Sequence, residues 1–242
     1  MPIARIKDTT FHRDVYEPAE DSFLLVDALA AEWRSTLRLR PPRVVVEVGC
    51  GTGYVIASAA LLAREHEASR EARVDDDDAA EATTSTASGR DTTCRFYATD
   101  VNRDALAATR ATAAAHGVAH LLETCECDLL SAPGLFASLR NATDVLLFNP
   151  PYVLTPSEEV TRGGVAAAWA GGVDGREVTD RLLPLVHDVL APGGTFMLIL
   201  LEQNKPKEVK AILEERGLEC AIVASTSADE ERLHVMRARK PL

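Results

Sequence analysis

Five short apolar runs alternate with stretches of helical spacing, and this alternation limits what the chain can fold into more than any other feature. The runs are Arg43 to Val48, Arg95 to Thr99, Leu121 to Glu126, Asp144 to Phe148 and Thr195 to Leu201. Between them, Val55 to Ala63, Arg103 to His116 and Arg176 to Leu190 carry apolar residues at helical spacing, and a Pro192-Gly193-Gly194 breaker is expected to end the last. Nearly continuous apolar runs suit strands covered on both faces, and strand–helix–strand crossovers make parallel neighbours. The expected fold class is α/β, a mostly parallel sheet with helices on both faces. Ahead of it, Pro18 to Trp33 reads as a helix opened by acidic residues. Behind it, Pro206 to Arg216 reads as a helix, and Leu218 to Ala224 with Arg232 to Ala238 as a terminal hairpin.

The chain's 242 residues, 46% of them hydrophobic, suit one domain spanning 1–242. Its one interruption is "REHEASREARVDDDDAAEATTSTASGRDTT", about residues 64–93, an acidic and small-polar segment without apolar periodicity. That composition predicts a disordered insertion, with Asp75 to Asp78 as a solvated acidic run. A formal net charge of -11 argues against nucleic acid as a partner, because phosphate binding draws on clustered Lys and Arg. No apolar run reaches the roughly eighteen residues of a membrane span, and "MPIARIKDTTFHRD" lacks a signal-peptide core. The expected location is the cytosol, with the nucleus as the alternative. Five cysteines include one C-x-C, Cys125 and Cys127, without a second pair at zinc-ligand spacing, so neither a disulfide nor an intrinsic metal site is expected. His12, His116, His120, His187 and His234 likewise stand at no ligand spacing.

Residues with chemical character fall where the strands end. The first run opens into Gly49, Gly51 and Gly53 before the next helix, a turn that lets a ligand approach backbone and helix N–H groups. Its G-x-G-x-G spacing, with Tyr54 following, departs from the G-x-G-x-x-G of nicotinamide and flavin folds. The second run ends at Asp100, a carboxylate placed to accept from two ribose hydroxyls, or to cap the next helix. The third ends at Asp128 and the fourth at Asn149, followed by Pro150, Pro151 and Tyr152. Neither proline has a backbone N–H and both have a fixed φ, so the asparagine is held stiffly at its strand end. Four such ends in register mark the carboxyl rim of an open α/β sheet as a binding site.

The motifs "VYEPAEDSFLL", "EVGCGTG", "FNPPYVLTP", "AAWAGGVDGREVTDRLLPLV" and "LAPGG" resemble the class I S-adenosylmethionine-dependent methyltransferases. Within them, "AAWAGG" with "GREV" is similar to the HemK-like glutamine methyltransferases of peptide-chain release factors, in their eukaryotic branch. The resemblance implies a Rossmann-like sheet of seven strands, mostly parallel with an antiparallel terminal strand, and methylation of the glutamine amide in a release factor's Gly-Gly-Gln loop. It places Glu47 and Gly49 at the methionine part of S-adenosylmethionine with Ser22 at its polar end, Asp100 at the ribose and Asp128 at the adenine amine, and counts Gly51 and Asn149 among the cofactor-binding residues as well. Asn149 and the carbonyl of Pro150 would grip the target nitrogen, with Tyr152 alongside and Trp169 either walling the pocket or packing. It also implies a heterodimer with a small zinc-binding activator subunit, expected to cover the third strand because Leu121 to Cys127 is too apolar for an open sheet edge. The alternatives left open are methylation of protein lysine or DNA adenine, and an inactive cofactor-binding scaffold.

Overall fold

A computed structural model describes residues 2–78, 94–162, 167–228 and 231–242. Its elements, in order, are α1 (Glu20–Glu32), β1 (Val44–Val48), α2 (Tyr54–Asp78), β2 (Arg95–Asp100), α3 (Arg103–Ala115), β3 (Leu122–Glu126) and α4 (Leu135–Leu139). Then follow β4 (Thr143–Phe148), α5 (Ser157–Val160), α6 (Glu177–Val189), β5 (Leu190–Leu201), α7 (Pro206–Glu215), β6 (Glu219–Ala228) and β7 (Glu231–Arg239). The seven strands form one sheet in the order β3-β2-β1-β4-β5-β7-β6. β3 to β5 run parallel to their neighbours, and β7 is antiparallel between β5 and β6.

Period-two alternation gives each face its own core. Val45, Phe96, Ala98, Leu147, Met197 and Val235 pack with α1, α2 and α3 on one face. Val46, Leu146, Phe148, Phe196, Leu198 and Met236 pack with α6 and α7 on the other. The strand order reverses at β1, whose C-terminal end lies between those of β2 and β4, so the crevice at this rim is the natural binding site of the sheet.

Three expectations change. The segment from residue 64 is helical as far as Asp78, where α2 ends; residues 79–93 lie outside the described residues. Arg64 to Arg73 lacks apolar periodicity but is rich in Ala, Glu and Arg, good helix formers, and it prolongs a helix already nucleated on the core. Pro192-Gly193-Gly194 does not end α6, which stops at Val189; it lies inside β5, where pairing with β4 jumps from Thr143↔Leu190 to Val145↔Thr195 and loops out the residues between. Finally, β3 is the sheet edge but less apolar than its sequence run suggested. Leu121 lies in a preceding 3-10 turn, while Glu123 and Glu126 are exposed and paired with Arg95 and Arg103, each at 2.7 Å. All five cysteines are free thiols.

Candidate active site

The glycine turn exists because three successive alternate positions need left-handed backbone: Gly49, Gly51 and Gly53 have φ of 66°, 51° and 77°. At Gly53 space is decisive as well, since a Cβ there would lie 2.7 Å from Thr109 Cα and force α2 away from α3. Beneath the turn, the buried Glu47 accepts from the Ile56 N–H at 2.9 Å, one of the unpaired donors at the start of α2. Burial holds its carboxyl well above the usual carboxylate range; the Ile56 N–H opposes that rise and nearby Asp100 adds to it. A carboxyl whose folded pKa is raised contributes stability that is complete below its unfolded pKa of about 4.3 and is lost as pH rises through the folded value. Glu47→Gln keeps an acceptor for Ile56 and removes that loss. Its melting temperature is therefore expected to exceed wild type at about pH 8, by about 2–4 °C per kcal/mol regained, with the gap closing toward about pH 4. Parallel pH dependence of the two melting curves would refute the assignment.

Asp100, at the end of β2, accepts from Gly51 N (3.1 Å) through one oxygen and from Asn102 N (2.9 Å) through the other. Burial raises its pKa, and the backbone donors of Asn102, Gly51 and Val101 oppose that. Capping of α3 falls to Asn102, whose side chain accepts from Asp104 N at 2.9 Å. Asp100 is thus left facing the cavity with lone pairs to spare, because a carboxylate offers about four acceptor sites. Asp128 forms an ion pair with Arg181 of α6, which also lines the cavity.

Asn149 closes the row. Its side-chain oxygen is buried and has no hydrogen-bond partner among the described residues. Leaving such an acceptor unmet costs about 1–3 kcal/mol, a penalty that calls for an explanation such as a missing donor. Ser22, Glu47, Gly49, Gly51, Asp100, Asp128 and Asn149 all line one cavity of about 820 Å³. Pro150 and Tyr152 do not; Pro151 does. The Tyr152 hydroxyl instead donates to Asp21 at 2.9 Å, and burial followed by that carboxylate pushes its pKa up. Trp169 is also outside the cavity lining and 37% exposed, with its carbonyl accepting from Val153 N at 3.0 Å.

Three residues that sequence reasoning passed over organise this rim. Arg181 pairs with Asp128. Asp21, 2% exposed, collects hydroxyl donors. Asn204, fully buried, donates to the carbonyls of Tyr152 (2.9 Å), Asp174 (3.1 Å) and Gly175 (3.2 Å) while accepting from Leu201 N (2.7 Å). It ties the loop after Asn149 to the glycine-rich segment before α6.

No family model matches the chain. It is 37% identical over 227 residues to "Methyltransferase HEMK2" of Homo sapiens, covering 94% of this chain and 90% of the human protein. The chain belongs to the HEMK2 methyltransferase family. Another relative, "eRF1 methyltransferase catalytic subunit mtq2" of Schizosaccharomyces pombe, is 29% identical over 236 residues, covering 93% of this chain and 89% of its own length. Among solved structures, the E. cuniculi Mtq2-Trm112 complex aligns at a TM-score of 0.56 and 26% identity, covering 94% of this chain and 99% of the matched one. The cofactor of this HEMK2-family enzyme is S-adenosylmethionine, and the cavity fits it. It pairs the size of a nucleoside-and-amino-acid ligand with a carboxylate, Asp100, whose free lone pairs suit ribose hydroxyls.

Proposed function

We propose that the chain methylates the side-chain amide of a glutamine in a class I peptide-chain release factor, within its Gly-Gly-Gln loop. The observation that carries this reading is the buried Oδ1 of Asn149, without a hydrogen-bond partner among the described residues, at the rim of the cofactor cavity. When bound, S-adenosylmethionine supplies an electrophilic methyl on a sulfonium leaving group. A glutamine amide is a poor nucleophile because its lone pair is delocalised, so the protein's contribution is alignment. Asn149 Oδ1 would accept one amide hydrogen and the carbonyl of Pro150, a residue outside the cavity lining, the other, turning the nitrogen toward the cofactor. As the N–C bond forms, the methyl–sulfur bond would break to leave a neutral thioether, and the nitrogen would release one of its two hydrogens as a proton to solvent. Pro150 and Pro151 keep the acceptors in place, and such positioning supplies up to about 7–11 kcal/mol in the best intramolecular cases. Asp100 would hold the ribose, Asp128 the adenine amine through the oxygen that Arg181 leaves free, and Ser22, Glu47, Gly49 and Gly51 the methionine part. Tyr152 acts from behind the loop.

The names of the relatives support the substrate: one is called an eRF1 methyltransferase catalytic subunit, and the Mtq2-Trm112 complex is described as responsible for methylating the eRF1 termination factor. The likeness to that complex supports a heterodimer with a partner subunit; we propose in addition that this subunit is small and zinc-binding, that it pairs along the β3 edge, and that the pair works in the cytosol. In a radiolabelled transfer assay with the co-expressed small subunit, the expected result is label on a release factor and none on the same factor with its Gly-Gly-Gln glutamine replaced. Labelling of histones or duplex DNA in preference to the release factor would overturn the reading.

A further inference from the structure

Asp21 sits in the first turn of α1, outside the cavity lining, and is almost wholly buried. Four donors converge on it from three parts of the chain. Tyr16 Oη donates to Oδ2 at 3.0 Å and Tyr152 Oη to the same oxygen at 2.9 Å. Ser22 N and Ser22 Oγ donate to Oδ1 at 2.5 and 3.1 Å. Tyr16 belongs to the strap that lines the cavity with Asp14, Val15 and Pro18; Ser22 also lines it; Tyr152 ends the loop that begins at Asn149. A hydroxyl has a single proton, and Tyr16, Ser22 and Tyr152 each spend theirs on Asp21. Ser22 is thereby left with lone pairs only toward the cavity.

From this geometry we infer that Asp21 is a positioning residue joining cofactor binding to the substrate clamp. Through Ser22 it makes that part of the cavity wall an acceptor for the α-ammonium of the cofactor's amino-acid tail, and through Tyr152 it holds the Asn149 loop in register. The second arm rests on the amide-methylation reading above; the first does not. Burial keeps water from competing for either set of bonds, so both arms depend on the one charge.

The test measures binding and turnover separately on the full chain. Ser22→Ala and Asp21→Asn are each expected to weaken S-adenosylhomocysteine about tenfold, the lower end of what a hydrogen bond to a charged group is worth. Both should leave methylthioadenosine, which lacks the amino-acid tail, within about twofold, since nothing at the tail subsite touches it. Tyr152→Phe should leave both ligands unchanged and slow single-turnover methyl transfer about tenfold. Because Asp21 acts through its partners, adding Ser22→Ala or Tyr152→Phe to Asp21→Asn should cost almost nothing further. Full additivity, or loss of methylthioadenosine affinity in Ser22→Ala, overturns the inference. The two single-arm variants, Ser22→Ala and Tyr152→Phe, leave Asp21 in place and keep the test valid if Asp21→Asn does not fold. The binding arm needs no acceptor substrate, so a wild-type chain that fails to label the release factor would refute the proposed substrate while leaving this arm measurable.

Discussion

Asn149→Ala is expected to lower single-turnover methyl transfer to a release factor about a hundredfold or more, about 2.7 kcal/mol of transition-state alignment, with little change in calorimetric S-adenosylmethionine affinity. The separation follows from where the Asn149 oxygen stands: buried, at the cavity rim, and bonded to nothing among the described residues. An acceptor that stabilises no part of the fold can be removed without a stability cost, and deleting an unmet buried oxygen relieves a penalty. The melting temperature should therefore hold or rise as turnover falls. Asp100→Ala supplies the opposite pattern. It deletes the acceptor of Gly51 N and Asn102 N as well as the proposed ribose ligand, so cofactor affinity should fall by at least about 1.5–3 kcal/mol. Near wild-type turnover in Asn149→Ala would show the catalytic assignment to be wrong. A joint fall in stability, affinity and turnover would make Asn149 a structural residue.

The parts of this molecule legible in its sequence are those whose signal is local. Each strand of the rim announces itself as an apolar run, and Asp100 and Asn149 follow such a run directly and Asp128 one residue later, so their convergence in one cavity could be expected from parallel topology alone. The connections between these residues carry no such signal. Tyr152 meets Asp21 across 131 positions, Arg181 meets Asp128 across 53 and Asn204 meets Tyr152 across 52. An acid in a helix's first turn, an arginine on an amphipathic helix and an asparagine after a strand all have ordinary local explanations, and only the fold distinguishes them. The extent of α2 was hidden for a different reason. Periodicity reports burial, and the exposed continuation of a helix has none to report.

Asn204→Ala is expected to be the most destabilising single change near the site. The side chain is fully buried and serves four backbone groups at once: Leu201 N, and the carbonyls of Tyr152, Asp174 and Gly175. Truncation leaves one donor and up to three acceptors without their partner in a place where each unmet group costs about 1–3 kcal/mol. The amide's two hydrogens are shared among three carbonyls, so not every acceptor loses a full bond, and a net loss of about 3 kcal/mol is expected, lowering the melting temperature by about 6–12 °C. Turnover should fall further than the remaining folded fraction explains, because the carbonyl of Tyr152 is the point at which the loop from Asn149 is fastened to the glycine-rich segment. Gly175→Ala attacks the same joint from the other side, since a Cβ there would lie 2.2 Å from the Tyr152 carbonyl oxygen and 2.4 Å from Asn204 Nδ2, at a φ of +64°. The two variants should therefore share one signature, reduced stability with slowed methyl transfer, and their combination should cost less than the sum because both break the same contact. The proposed cofactor ligands, Ser22, Glu47, Gly49, Gly51, Asp100 and Asp128, touch neither Asn204 nor Gly175, so cofactor affinity should be nearly spared in the folded fraction of each. If either variant lost cofactor binding in step with turnover, the loop and the cofactor site would be one mechanical unit, and the division of labour between Asn204 and Asp100 would be wrong.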